Sequence, residues 1–232
     1  MGNQGECLVC GESIQYLEKE ELLECIYCHQ EFSSYAKCKD NHFVCDECHS
    51  EKGIKSILEY CMNSNSKNPI FILQEIMRLP YIYMHGPEHH VMVGAAMLTA
   101  FYNSGGEIDL QESLIEMESR GKEYPGGSCG LWGCCGAAVS VGMFLSIVTK
   151  ATPLSTKSWK DVNKITATAL NNIADIGGPR CCKRNSFTAV IAATKFVEEN
   201  YNISLELPEE IICTFNANNE QCKRKSCPYF QH

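Results

Sequence analysis

Beyond residue 52 the apolar positions fall at spacings of three and four, the period of a helix with one buried face. In "SWKDVNKITATALNNIADIGGP" the apolar positions are Trp159, Val162, Ile165, Ala169, Ile173 and Ile176, and Gly-Gly-Pro ends the run. "NPIFILQEIMRLP" carries its own punctuation. Asn68 is the predicted N-cap, Pro69 the first helical residue and Pro80 the stop. Residues 53–80 read as two short helices. A further helix is predicted from Pro87 to about Tyr102, rich in Val, Met, Ala and Leu. "DLQESLIEMESRG" pairs Asp109 with Glu112 as a capping box and is expected to end at Gly121. Residues 136–149, and "NSFTAVIAATKFVEEN" capped by Asn185 or Ser186, complete the set. Strand signal is sparse outside the first fifty residues. The predicted fold is mainly α: a helical C-terminal domain (81–232) and a helical connector (53–80), preceded by a small Cys-rich module (1–52).

The uncharged run from Gly130 to Thr149 is long enough to span a bilayer. Its small residues and embedded cysteines favour a buried helix instead. The start, "MGNQGECLVC", has neither the basic nor the apolar region of a signal peptide. It also lacks the Ser or Thr at position 6 that myristoylation requires. A reducing cytoplasmic setting is the expectation. There, the sixteen cysteines of this 232-residue chain point to metal or redox chemistry rather than structural bridges.

The cysteines of the first module come in metal-ligand spacing: Cys7-x2-Cys10, Cys25-x2-Cys28, Cys38-x3-His42 and Cys45-x2-Cys48. A C-x2-C turn lets two thiolates grip one ion, and eight such ligands suit two tetrahedral Zn²⁺ sites. Two pairings are open. "SIQYLEKEELLE" as a hairpin gives a zinc ribbon of Cys7, Cys10, Cys25 and Cys28, with the other site cramped into eleven residues. The interleaved alternative, as in RING-like and treble-clef modules, joins Cys25 and Cys28 to Cys45 and Cys48, and leaves Cys7, Cys10, Cys38 and His42 for the other ion. His49 is expected at the surface rather than on a metal.

The charge of −8 is concentrated in residues 1–66, with five Lys and Arg against twelve Asp and Glu. An acidic module is a poor general nucleic-acid binder. Lys183–Arg184 and Lys223–Arg224–Lys225 are small basic exceptions.

"GGSCGLWGCCGAAVSVG" places Cys129, Cys134 and Cys135 just before one predicted helix, and Cys181–Cys182 precede another. A helix N-terminus favours negative charge, so thiolates are expected there, converging on one site. Lys183 and Arg184 would add to that field. Cys213, Cys222 and Cys227 are further candidate cofactor ligands, and the Cys227-Pro228 step is familiar from iron–sulfur runs. "YMHGPEHH" offers His85 and His89 as proton carriers or ligands. Neither a dinucleotide fingerprint nor a P-loop is present.

Taken together, "CKDNHFVCDECH", "HGPEHH", "GGSCGLWGCCGAA", "GGPRCCKR" and "CKRKSCPYF" resemble an uncharacterised family of cysteine-rich proteins from anaerobes. The resemblance implies a zinc-ribbon-like segment before a helical domain of unknown function. A second resemblance is to redox-active proteins with a C-x4-Gly-Cys-Ala-x2-Gly pattern. This chain departs from it in spacing and in having Cys135 where that pattern has Ala. The expected function is metal- and thiolate-dependent redox or sulfur chemistry, with an iron–sulfur cluster and a small sulfur-containing substrate among its readings. The alternatives are a non-enzymatic zinc adaptor and a sulfur-handling protein directed to tRNA, in which the basic spots contact RNA.

Overall fold

The computed structural model describes residues 7–231; the Met-Gly start weighed above for a signal peptide and myristoylation lies outside them. The only sheet among these residues is an antiparallel hairpin, β1 (Ile14–Glu24) and β2 (Glu31–Cys38). Its register runs from Ile14 opposite Cys38 to Glu24 opposite Glu31, with an irregularity between Tyr16 and Glu21. Eight helices follow: α1 (Asp46–Asn63), α2 (Pro69–Met77), α3 (Glu88–Asn103), α4 (Leu110–Glu123), α5 (Ser128–Leu131), α6 (Gly136–Thr149), α7 (Lys157–Ile176) and α8 (Cys182–Tyr201). The rest of the chain to Gln231 is irregular apart from two 3₁₀ turns.

α3 is the axis of the bundle. Every residue from Val91 to Phe101 is buried, and α1, α2, α4, α6 and α8 all pack against it. A helix apolar all round must be surrounded, so the periodic faces of its neighbours turn inward onto it. Close approach is made possible by glycine. A Cβ on Gly94 would lie 2.2 Å from Met117 Cε, and one on Gly121 2.5 Å from Val91 Cγ2. Gly121 is therefore not the helix stop expected of it; α4 runs on to Glu123 because Gly121 serves packing. At the α3–α6 crossing the Ser140 hydroxyl donates to His90 O (2.5 Å) and accepts from Gly94 N–H (2.8 Å). One α6 side chain thus spans two backbone groups a turn apart on α3.

The N-caps of α2 and α4 are as expected: Asn68 accepts from Ile70 and Phe71 N–H, and Asp109 from Glu112 N–H. α2 stops at Met77, short of Pro80. α1 starts at Asp46 and runs through residue 52 without a break. α8 begins a turn earlier than expected, with Cys181 rather than Asn185 or Ser186 as its cap, the Cys181 Sγ accepting from Arg184 N–H. Gly130–Thr149 divides into a short helix, a bend and the 14-residue α6. Among the described residues no helix is long and apolar enough to cross a membrane.

Ser140→Ala is expected to lower unfolding free energy by about 1 kcal/mol, since both backbone groups lose a buried partner. Gly94→Val, which overfills the same crossing, should cost more, in the range of about 1–3 kcal/mol. Denaturant titration of the two variants checks the order.

Candidate metal centres and thiol cavity

The metal ligands sit at opposite ends of the hairpin. Beside the Ile14–Cys38 end, the ligand atoms of Cys7, Cys10, Cys38 and His42 lie within 4.8 Å of one another; beyond the Glu24–Glu31 end, so do those of Cys25, Cys28, Cys45 and Cys48. The pairing is the interleaved one, not the ribbon. The segment from Lys39 to Val44 returns along the hairpin to carry the chain from the first group to the second.

These spacings are those of a single tetrahedral ion. Metal–sulfur bonds of ~2.3 Å give thiolate pairs roughly 3.8 Å apart. Cys10 and Cys38 Sγ are 3.5 Å apart, Cys28 and Cys45 3.8 Å. His42 presents Nδ1, at 3.2 Å from Cys10 Sγ, 3.7 Å from Cys7 and 3.8 Å from Cys38. Each tight turn also aims backbone N–H groups at sulfur: Val9 at Cys7, Asp40 at Cys38 and Cys45 at Cys25, at 3.2–3.4 Å. Such donors favour the thiolate. Burial works against ionisation of Cys25, yet the N–H groups of Cys45, Cys28 and Tyr27 bring its thiol down to about 6. The residues present fit two metal ions, one held by four thiolates and one by three thiolates and an imidazole.

The second group is built into α1. Cys45 is its N-cap and Cys48 lies in its first turn. The same turn reaches the helical bundle twice. Asp46 accepts from Gly126 N–H at 2.6 Å. The His49 ring packs on Tyr83 and its Nδ1 lies 3.7 Å from Glu88 Oε2. His49 is outside both ligand sets, as expected, and is half-buried rather than fully at the surface.

Between the hairpin and the bundle lies a cavity of about 240 Å³. The hairpin side contributes Tyr16, Lys37 and His42, and the bundle side His85, His89, Arg180 and the thiols Cys129, Cys135, Cys181 and Cys182. Cys134, expected with them, is not among the lining residues; Tyr124 OH donates to its carbonyl at 2.9 Å. The helix-mouth expectation holds in position, since Cys135 caps α6 and Cys181 caps α8. It fails in effect. Burial pushes the Cys135 and Cys181 thiols up, and Cys182 up to about 12, against the lowering field of Arg180. Desolvation outweighs the helix dipole, so these are resting thiols rather than standing thiolates. Asn185 Nδ2 donates to Cys135 Sγ at 3.3 Å.

Behind this wall is a group of charged and polar side chains that sequence reasoning did not assemble. Glu88 is completely buried. It accepts from Tyr83 N–H at 3.2 Å, with His89 Nδ1 at 3.2 Å. Burial would raise its pKa, but the imidazoles of His49 and His89 hold the carboxyl ionised, well below the usual carboxylate range. His85 is pushed down to about 3 by burial and by Arg180, and His89 is lowered chiefly by burial, so both rings are neutral near pH 7. Lys183 is wholly buried and is brought down to about 8 by burial against the pull of Glu88. His85 Nδ1, His89 Nε2, Glu88 Oε2 and Lys183 Nζ have no hydrogen-bond partner. Each such atom costs about 1–3 kcal/mol, a concentration that folds tolerate at working sites. His90 also lines the cavity, and its Nδ1 donates to Tyr124 O at 2.8 Å.

Cys213, Cys222 and Cys227 lie elsewhere. With Cys181 they line a second, smaller cavity between the start of α8 and the C-terminal segment. The vicinal pair is thus divided, Cys182 facing the large cavity and Cys181 reaching both. Arg184 is buried and donates to Gly177 O and Pro179 O. Lys183–Arg184 accordingly forms no basic surface for RNA. Arg180, the one cation lining the thiol side of the large cavity, was legible only as a neighbour of the Cys pair.

Two interleaved metal-ligand sets on a hairpin, joined through a helix to a bundle with a thiol-lined cavity, define a cysteine-rich metal-binding protein. By its sequence from residue 57 to residue 230 the chain belongs to a family of unknown function, DUF5714. The hairpin and both metal-ligand sets precede the matched region. No curated protein and no solved structure matches the chain.

Substitution should separate the two ions. Cys25→Ser and Cys48→Ser are each expected to lose one equivalent of metal, the same one. Cys7→Ser should lose the other, and Cys7→Ser with Cys25→Ser both. Metal analysis of purified full-length variants reads the result.

Proposed function

We propose that this chain carries out thiol-based redox or sulfur chemistry on a small sulfur-containing substrate, in the cavity between its hairpin and its helical bundle. The observation that carries the reading is the grouping of Cys129, Cys135 and Cys182 with Arg180 around one cavity. Zinc is the metal assigned to the two N-terminal sites, since closed S₄ and S₃N tetrahedra are its usual structural ligand sets. In that role zinc holds the hairpin wall and takes no part in the reaction. A reducing cytoplasm, and the anaerobic setting the sequence resemblance implies, would keep the thiols reduced.

The chemistry is thiol–disulfide exchange. Cys129, the thiol outside the two helix caps, attacks one sulfur of a substrate disulfide as its thiolate. The substrate S–S bond breaks, a protein–substrate disulfide forms, and the first half leaves as a thiolate that takes up a proton. Cys135 then attacks the Cys129 sulfur and releases the second half. The substrate disulfide gains two electrons and becomes two thiols, while the protein dithiol becomes a disulfide. Arg180 favours the thiolate state at Cys182 and would attract an anionic substrate. The neutral ring of His85 can accept a hydrogen bond from a thiol without retaining its proton.

Ellman's reagent, an anionic aromatic disulfide, tests this in the full-length protein. Adducts should map first to Cys129, and Cys135→Ser should trap the adduct there. Arg180→Ala should slow the rapid phase about tenfold, a change of about 1.4 kcal/mol, with a smaller effect on a neutral pyridyl disulfide. Adducts confined to the N-terminal and C-terminal cysteines, with none at Cys129, Cys135 or Cys182, would refute the reading.

A further inference from the structure

The second cavity has a wall of sulfur. Cys181, Cys213, Cys222 and Cys227 come from two parts of the chain that the fold sets face to face: the N-cap of α8 and the last twenty residues. The C-terminal segment is closed on itself for this purpose. Cys213 N–H donates to Tyr229 O at 2.7 Å, Cys213 and Phe230 form a parallel bridge, and Tyr229 OH meets Thr188 Oγ1 of α8 at 2.9 Å. The remaining lining includes the apolar Met84, Phe215 and Tyr229, with Arg184, Asn219 and Lys223 among its polar members.

Spacing distinguishes this group from the N-terminal ones. Among the described residues, only the two hairpin sets bring three or more ligand atoms within 4.8 Å of one another. The four thiols here are more widely spread, although each of Cys181 and Cys213 feels the charge of Cys222 and Cys227. A single tetrahedral ion would need all four sulfurs roughly 3.8 Å apart. A four-iron cluster needs a wider tetrahedron, because each sulfur binds a different iron. The four thiols surround a small cavity that is partly open to solvent.

The surroundings suit a net negative group. Cys181 Sγ accepts from Arg184 N–H and from Asn219 Nδ2, both at 3.5 Å, and Cys222 Sγ from Arg224 N–H at 3.3 Å. Hydrogen bonds to the sulfurs are among the means by which proteins tune such clusters. Cys181 stands at the N-terminus of a 20-residue helix, where negative charge is favoured. Lys183 follows Cys181 by two residues, behind the Phe215 side of this cavity. Its ammonium is completely buried without a hydrogen-bond partner, 5.1 Å from the centre of the Phe215 ring, and in the field of Glu88 first and then of Cys182, Cys181 and Cys213. Glu88 already gives this buried cation a negative neighbour, and thiolates at Cys181 and Cys213 would add to it.

We propose that Cys181, Cys213, Cys222 and Cys227 are the four thiolate ligands of a [4Fe–4S] cluster seated between the first turn of α8 and the C-terminal segment. Cys129, Cys135 and Cys182 are not its ligands, so the assignment holds whether or not the larger cavity exchanges disulfides.

The full-length protein, loaded anaerobically with ferric iron, sulfide and dithiothreitol and then desalted, is the material for the test. About four irons and four acid-labile sulfides per chain are expected beyond the zinc, with broad visible absorption that dithionite bleaches. Cys213→Ser and Cys227→Ser should each lose most of the sulfide and colour while keeping two zinc equivalents, which reports a folded hairpin. Cys129→Ser and Cys182→Ser should keep both. Iron without labile sulfide would mean that iron had entered the zinc sites, and would overturn the proposal. So would a cluster that survives the Cys213→Ser, Cys227→Ser double variant or is lost with Cys182→Ser. Should the serine variants fail to fold, the wild-type measurement decides alone: loaded protein with zinc but no labile sulfide refutes the cluster.

Discussion

The rest of the structure depends on the second metal-ligand set closing inside the first turn of α1. Cys25 and Cys28 belong to the hairpin, whereas Cys45 and Cys48 belong to a helix that packs on the core. A metal ion shared between them would make the hairpin and the bundle one mechanical unit. That turn also places Asp46 on the Gly126 backbone and His49 beside Glu88. The hairpin can therefore act as a wall of the cavity, with Arg180 5.4 Å from the Tyr16 ring across the gap. A two-stranded hairpin alone is marginal in water. Metal ligation at both ends would supply what its small apolar surface cannot.

Glu88 is the second constraint. A lone buried carboxylate would give up its charge rather than bear the desolvation cost. Here backbone and imidazole donors, together with the Lys183 ammonium, keep it ionised. Breaking one side of such a group is more damaging than replacing all of it with apolar residues, because the remaining charge is left without a partner. The arrangement contributes little net stability. It fixes His89 and the start of α3 against His49 of α1.

Much of this was legible where short-range chemistry decides. The C-x2-C turns, the Asn68–Pro69 and Asp109–Glu112 helix starts, and the helical domain all follow from local spacing and capping. The sequence left the metal pairing open, because it depends on where a hairpin folds back; the cramped eleven-residue alternative was the only clue. Gly121 has the local grammar of a helix stop, but close packing on Val91 overrides it. Lys183 and Arg184 look like a surface spot until α8 is seen to start at Cys182. A one-turn shift of the helix start turns both into its buried first turn. Cys134 could not be separated from Cys135 by composition, since only the position of the α6 cap tells which thiol faces inward.

The vicinal pair shows why adjacency in sequence is a weak guide to shared chemistry. Successive residues on a helix project about 100° apart, so a pair at a helix start is directed to two sides. Cys181, as the cap, reaches the C-terminal segment, while Cys182 turns toward Arg180 and Cys135. The next residue, Lys183, lies in the field of both thiols and of Glu88. Three consecutive side chains thus serve two cavities and the buried charge between them. No flexible loop could hold that division; the rigid first turn of a 20-residue helix does, because its backbone fixes all three directions at once. Any change of charge on one side is then felt on the other across a single turn of helix, through a low-dielectric interior in which it is weakly screened.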